Sequence, residues 1–399
     1  MLRLSIIAAV PFVLGAGFAL AQDVPPSSAP ADVPAVEAEA LETIIEEAAP
    51  AAAEEVFDPS VPRPDGPAVD PLAAPTTPGS AAAPDAPADA VVDEPALSTL
   101  TADDVNAAPF AEGVEFLKGA RPLVLKLQVL LDRADISPGS VDAFWGMNVA
   151  KAIAAFELRN GFPVDGRPDA QVWAALGDDA ATPVLVPYEI TGEDVAGPFG
   201  ELPTDYAELA ELESLHYSGA VEMFGERFHM DPDLLMALNP GSNFGPGETI
   251  LVADTGETLE GDDLVTALRA DKRNGQLLAF DAGGVLVAAY PATIGSESTP
   301  SPSGDHAVKG VATDPVYYYN PENFKQGDNT EKLELPPGPN SPVGSVWIDL
   351  TEPTYGIHGT PEPEKIDKAY SHGCVRLTNW DAQELAHLVK VGAVVSFVE

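Results

Sequence analysis

Residues 23–110 hold 16 prolines and 23 alanines and almost no aromatic side chains. Such a stretch cannot bury enough apolar surface to offset its chain entropy. Its 18 acids face the single Arg63, so proline spacing and charge repulsion predict an extended linker over residues 22–113. Whatever folds must come from the rest of the 399 residues, which is still too long for one ordinary domain. The formal net charge is −43, from 63 acidic and 20 basic side chains, and the acidic excess recurs in every segment after the first 22 residues. That balance argues against nucleic acid bound through phosphate neutralisation and against docking on anionic lipid.

The first 21 residues read as a signal peptide. Arg3 supplies the charged start, Leu4 to Leu20 the apolar stretch, and Ala19-Leu20-Ala21 the cleavage site. A membrane anchor is the alternative, but the uninterrupted apolar run is short for a span of ~20 residues, and Pro11 and two glycines weaken a helix. Cleavage leaves a mature chain from near Gln22, with no integral membrane domain, in the periplasm or cell envelope. In such a compartment an idle thiol is exposed to oxidation and mispairing. The chain has one cysteine, Cys374, which excludes an intrachain disulfide and any multi-thiolate metal site. Cys374 is then either buried and inert or kept for chemistry.

Three short helices are expected in residues 114–180. Arg121 to Arg133 puts Val124, Leu127 and Leu131 on one face, Asn148 to Asn160 does so with Val149, Ile153 and Phe156, and Asp169 to Leu176 carries Val172. Glycine-containing turns separate them. The Leu127-Gln128 pair, Asp142 before Phe144-Trp145-Gly146, and Asp165-Gly166 before Val172-Trp173 resemble the three-helix peptidoglycan-binding domain. The segment departs from that family at Glu157, where Gln is common, and at Asn148, where Thr is usual.

Residues 183–255 read as a second small unit of order βααβ. Extended pieces at Tyr188 to Ile190 and Thr249 to Val252 flank a helix from Ser218 to His229 and one opened by Asp231-Pro232 as N-cap and first residue. The pattern resembles a LysM domain with an insertion after its first strand, a module that binds peptidoglycan sugars in its family. His216 and His229 lie here and are expected to be partly buried helix residues rather than ligands. From residue 264 the texture turns to strands: Gln276 to Phe280 and Gly284 to Tyr290 around a hairpin, then Ser345 to Leu350, Tyr355 to His358 and Ala393 to Val398. One helix, Asn379 to Lys390, is capped by Thr378-x-x-Asp381. Residues 264–399 are therefore expected to form a mainly β domain with one prominent helix.

The chemistry gathers in "YGIHGTPEPEKIDKAYSHGCVRLTNWD". A thiol titrating near ~8.5 needs a base or cationic partner. Both His358, at a strand end, and His372, two residues before Cys374, can serve as that partner. Gly359 and Gly373 permit close backbone approach, and the N–H groups of Gly373 and Cys374 suit an oxyanion. A zinc site of His358, His372 and Cys374 has valid ligand types but no obvious fourth member.

The pattern His358-Gly359-Thr360, spacer, Ser371-His372-Gly373-Cys374-Val375-Arg376 resembles the active-site motif of the L,D-transpeptidase (YkuD) family. "YPATIGS … PSPSG" and "LPPGPNSPVGSVWIDL" extend the likeness over residues 265–399, with Ser341 inserted where the family often runs Asn-Pro. The resemblance implies Cys374 as nucleophile, His358 as general base, the Gly359 carbonyl as its orienter, and His372 shaping the site. It implies oxyanion donors at Gly373 and Cys374. Arg376, Ser371, Tyr355 and Tyr370 are the candidate substrate contacts, Arg376 being equally suited to bracing the loop. The implied partners are peptidoglycan stem peptides and glycan, with no cofactor and no metal. The implied reaction forms a thioester with a tetrapeptide stem and passes it to an amine; water as acceptor gives a carboxypeptidase, and a non-catalytic wall-binding scaffold is the reading from another class.

Overall fold

A computed structural model describes residues 97–110, 121–177, 182–259, 261, 263–296, 299–322, 325–368 and 373–399. The expected signal peptide, the linker as far as residue 96, and Tyr370, Ser371 and His372 lie outside the described residues.

The linker expectation is too long at its end. Thr101 caps α1 (Ala102–Asn106) by accepting from Asp104 N at 3.2 Å, and Val105 is fully buried. Leu100 and Ala108 join it in the core, so this local apolar spacing outweighs the linker-like composition around it. Asn106 then ties the segment down. Its Oδ1 accepts from Val184 N and Leu185 N at 2.8 and 3.0 Å, and its Nδ2 donates to Leu185 O at 3.0 Å.

Helices α2 (Arg121–Asp132), α3 (Met147–Asn160) and α4 (Ala170–Ala175) follow at the expected places. Gly161 ends α3 in the left-handed conformation, φ 68°, and the Asp169 carboxylate caps α4. The Glu157 carboxylate holds the turn before α4, its Oε2 accepting from Asp165 N and Gly166 N, each at 2.8 Å. Gln128 locks the α2–α3 loop, donating to Asp142 Oδ1 at 2.8 Å and accepting from Ala143 N at 2.9 Å. Asn148 and Lys151 point out of the module; Lys151 Nζ pairs with Asp367 at 2.5 Å.

The next unit is a two-stranded antiparallel sheet of β1 (Leu185–Glu189) and β2 (Thr249–Ala253). Between them come α5 (Tyr206–Leu209), α6 (Ala220–Arg227) and α7 (Pro232–Leu238). Asp231 caps α7 with Pro232 as its first residue. Helix α6 is shorter than expected at both ends. Glu222 accepts from Ser218 N at 2.7 Å outside the helix, and His229 turns the chain with φ 56°. Neither His216 nor His229 is therefore a helix residue.

Among the described residues the remaining strands are β3 (Val265–Asp271), β4 (Gln276–Phe280), β5 (Leu286–Pro291), β6 (Thr293–Ile294), β7 (Gly304–Thr313), β8 (Tyr317–Tyr319), β9 (Leu333–Leu335), β10 (Val346–Leu350), β11 (Gly356–His358), β12 (Val375–Arg376) and β13 (Val389–Val398). Nine form one sheet, ordered β5-β4-β3-β13-β7-β10-β11-β12-β6. Its pairs are antiparallel except β3–β13 and β11–β12. Helix α8 (Asn379–Leu388) packs Leu385 and Leu388 into the sheet's core with Leu268, Leu277 and Ile348. It stops before Lys390 because Val389 already extends into β13. The separate β8–β9 hairpin is covered by Tyr206, Leu209 and Leu215 from the insertion around α5.

The two small units do not keep separate cores. A single apolar cluster runs from Leu100 and Val105 through α2, α3, α6 and α7 to Leu278, Phe280, Leu286 and Ala289 on the edge of the large sheet. Replacing Asn106 with Ala leaves two buried N–H groups without their acceptor. It is expected to lower unfolding free energy by about 1–3 kcal/mol in urea titration; an unchanged transition midpoint is the contrary result.

Candidate active site

The short strand β11 carries His358 into the sheet between β10 and β12, with Gly356, Ile357 and His358 all buried. On one side Trp347 of β10 is the register partner of His358. On the other, β12 runs parallel, with Ile357 opposite Val375 and His358 opposite Arg376. A parallel pair demands a crossover, and the segment between Gly359 and Cys374 supplies it. Cys374 thereby immediately precedes β12, one residue before the Val375 that stands opposite Ile357.

Trp347 joins the two. Its indole stacks on the His358 imidazole with centroids 5.6 Å apart and planes 14° from parallel. It also packs with Cys374 and Val343 in one apolar cluster, with Tyr317 alongside. Its Nε1–H donates to Asp349 Oδ1 at 3.2 Å, two residues along the same strand face. The ring lies where a side chain at position 356 would stand: a Cβ on Gly356 would be 2.5 Å from Trp347 Cζ2.

His358 Nδ1 lies 2.6 Å from the carbonyl oxygen of Gly359. A carbonyl only accepts, so Nδ1 carries the proton and Nε2 presents its lone pair. Burial pushes the imidazole down to about 3, the Arg376 charge pushes in the same direction, and the Gly359 bond opposes them. The resting ring is therefore neutral. Cys374 is 7% exposed, and its Sγ lies 3.9 Å from Thr354 O, a weak sulfur contact. Thr354 itself adopts φ 73°.

Gly373 has φ 116°, and a Cβ there would lie 2.5 Å from Tyr355 Cε1 and 3.2 Å from Pro300 O. Glycine is required on both counts. Tyr355 is thus brought against the residue before Cys374, and burial, then the Cys374 and Glu352 charges, raise its phenol above the ordinary value. Arg376 is buried at 4% exposed, so it acts on the site as a fixed positive charge on the strand beside His358. Of the other residues expected here, His372, Ser371 and Tyr370 lie outside the described residues.

Trp347, Thr354 and Asn379 are neighbours of the site that the sequence does not single out. Trp347 is hidden in an apolar strand run, and only its spacing to Asp349 hints at a shared face. Asn379 sits fully buried under Gly359 as the first residue of α8. His229 is distant in role: its Nδ1 pairs with Asp132 Oδ2 at 2.7 Å and its ring stacks on Trp380 at 5.1 Å. His216 Nδ1 contacts Tyr217 O at 3.0 Å.

With this geometry in hand, residues 266–396 match the sequence model of the L,D-transpeptidase catalytic domain, and residues 120–176 match that of a peptidoglycan-binding domain. YkuD of Bacillus licheniformis, assigned by its name to the L,D-transpeptidases, is 29% identical over 44% of this chain and 92% of its own length. YkuD of Bacillus subtilis is 47% identical over 58 residues, covering 14% of this chain and 35% of its own length. The L,D-transpeptidase structure from Xylanimonas cellulosilytica aligns over 72% of this chain and 95% of that one, at 16% identity and a TM-score of 0.31. The chain is an enzyme of the L,D-transpeptidase class, with its catalytic domain on the nine-stranded sheet. Among the described residues no helix is long and apolar enough to cross a membrane.

The His358 ring titrates near 6.5 when unfolded and about 3 when folded. Between those values the unfolded chain binds the extra proton, so stability falls as pH drops below 6.5. The ring carbons of His358 in NMR are expected to show the neutral form throughout pH 5–8. A midpoint near 6.5 in the folded protein would contradict this account of burial.

Proposed function

We propose that the protein is an exported cysteine L,D-transpeptidase, with Cys374 as nucleophile and His358 as general base. The observation supporting this reading is that Trp347 packs on both the buried neutral His358 of β11 and Cys374, which immediately precedes β12, the strand paired with β11. The Cys374 thiol attacks the carbonyl carbon of the L-to-D peptide bond in a tetrapeptide stem while its proton passes to His358 Nε2. The developing thiolate supplies the opposite charge that raises the imidazole's proton affinity, which the resting site lacks. N–H groups of Gly373 and Cys374 receive the oxyanion. Collapse breaks the C–N bond, His358 returns the proton to the departing D-amino acid, and the stem remains as a thioester on Sγ.

In the second half an amine of another stem attacks the thioester, gives its proton to His358, and releases the cross-linked product as the thiol is reprotonated. Water in place of the amine yields a shortened stem by the same steps. Tyr355, against Gly373, is suited to line the stem's approach, together with Ser371 and Tyr370; His372 shapes the same loop. Arg376 serves as a brace and a fixed charge. The peptidoglycan-binding module and the β1-α6-α7-β2 unit, whose strand and helix order supports a LysM-like assignment, are proposed to hold glycan. The signal sequence directs the whole to the periplasm or cell envelope, where it acts in wall cross-linking and remodelling.

A carbapenem, whose strained carbonyl acylates a thiolate, tests the nucleophile directly. Intact-mass measurement is expected to show one adduct on the mature wild type and none on Cys374→Ala, with His358→Ala slowed by roughly 10²–10⁴-fold. No adduct on the wild type, or one retained by Cys374→Ala, overturns the assignment.

A further inference from the structure

Glu226 lies outside the catalytic domain, on α6 of the second small unit, yet it is 8% exposed and bonded into the catalytic domain. Both its carboxyl oxygens accept from Asn379 Nδ2, at 2.9 and 3.1 Å, and Tyr217 OH donates to Oε2 at 3.2 Å. Asn379 Nδ2 also donates to Pro339 O at 3.0 Å, and its Oδ1 accepts from Ser345 N at 3.1 Å. The same Oδ1 occupies the space where a side chain on Gly344 or on Gly359 would stand. The amide is therefore a wedge between the turn entering β10, which carries Trp347, and the Gly359 peptide, whose carbonyl holds His358 Nδ1.

Neighbouring bonds come from the same stretch of the small unit. Leu215 N donates to Pro337 O at 2.9 Å, and Asn340 N donates to Leu215 O at 3.0 Å. Asn340 Nδ2 donates to His216 O at 2.9 Å and to Glu222 Oε1 at 2.8 Å. The loop 337–345 is thus fastened to residues 215–226 along its length. An amide can present either its oxygen or its NH₂ to a given partner. With Glu226 in place the NH₂ end is fixed toward α6 and the oxygen toward Ser345 and the two glycines.

We propose that Glu226 is a positioning residue for acyl transfer: by fixing the Asn379 amide it sets the Gly359 peptide and hence the direction of the His358 ring. The inference rests on the reading of Cys374 and His358 given above. It makes the small unit a working part of the catalytic site in addition to any glycan binding. Burial pushes the Glu226 carboxyl up to about 8 against the opposing Asn379 and Tyr217 bonds, so glutamine, neutral and of the same shape, is the conservative replacement.

The test is the rate of Cys374 acylation by a carbapenem over a range of concentrations in the full mature chain. Glu226→Met keeps the volume but loses the acceptor. It is expected to lower the maximal rate roughly 10-fold or more, as small misplacements of a catalytic group do, with the half-saturating concentration unchanged. Glu226→Gln is expected to restore the rate to within about three-fold of wild type. In the double variant Glu226→Met/Asn379→Ala the rate should equal that of Asn379→Ala alone, because the two act in series. A folded Glu226→Met with the wild-type maximal rate overturns the proposal, as does a loss confined to half-saturation or one that Gln does not rescue. Should Glu226→Met not fold, Glu226→Asp withdraws the carboxylate by one methylene, and an undiminished maximal rate in it overturns the proposal equally. Absence of any wild-type adduct would instead bring down the acyl-transfer reading itself.

Discussion

The hydrogen bond from His358 Nδ1 to the Gly359 carbonyl is the constraint on which the site turns. It fixes the tautomer, and with the tautomer it fixes which nitrogen can take a proton. A ring held only by this bond would still rotate about it, and the stacked Trp347 indole removes that freedom. The indole in turn needs Gly356 to be bare and Asp349 to take its N–H. Each glycine near the motif serves a neighbour: Gly356 for Trp347, Gly359 and Gly344 for Asn379, Gly373 for Tyr355. Burial then makes the imidazole a neutral base whose affinity for a proton rises only when negative charge develops beside it.

The accessory units belong to this structure more closely than a linker-and-modules description suggests. Their apolar residues share one core with the edge of the large sheet. Lys151 reaches Asp367, Asn148 reaches Ile366 O, and residues 215–226 fasten the loop before β10. A unit joined by such bonds constrains the catalytic loops as well as any wall polymer it holds. The acidic surplus of the chain has a structural side here too. Glu157 and Glu226 are buried carboxyl groups that accept from backbone and amide donors.

Much of the fold is legible because its signals are local. Asp169 and Asp231 cap the helices they precede, Thr378 caps α8, and apolar runs bounded by turn residues mark β4, β5 and β10. Strands β3 and β7 are not legible in the same way, because Arg269 and Asp271 in β3 and Gly304, Asp305, Lys309 and Gly310 in β7 interrupt the apolar pattern, and each is held in the sheet from both sides, β3 by β4 and β13 and β7 by β13 and β10. Residues 97–110 are lost when composition is averaged over a long tract, whereas Val105 and Asn106 act singly. At the site, His358 and Cys374 stand in a dense motif that marks them. Trp347 and Asn379 carry no such mark, since a buried Trp in a strand and an Asn opening a helix both look structural. Their roles depend on contacts made across the sheet and, for Asn379, with another unit altogether.

Cysteine-dependent transfer at the L-to-D bond is tested most directly by digesting purified peptidoglycan with wild type and Cys374→Ala and weighing the released muropeptides. Wild type alone is expected to remove the terminal D-amino acid from tetrapeptide stems and to join the shortened stem to an acceptor. Identical products from Cys374→Ala, or wild-type cleavage at a different bond, would contradict it.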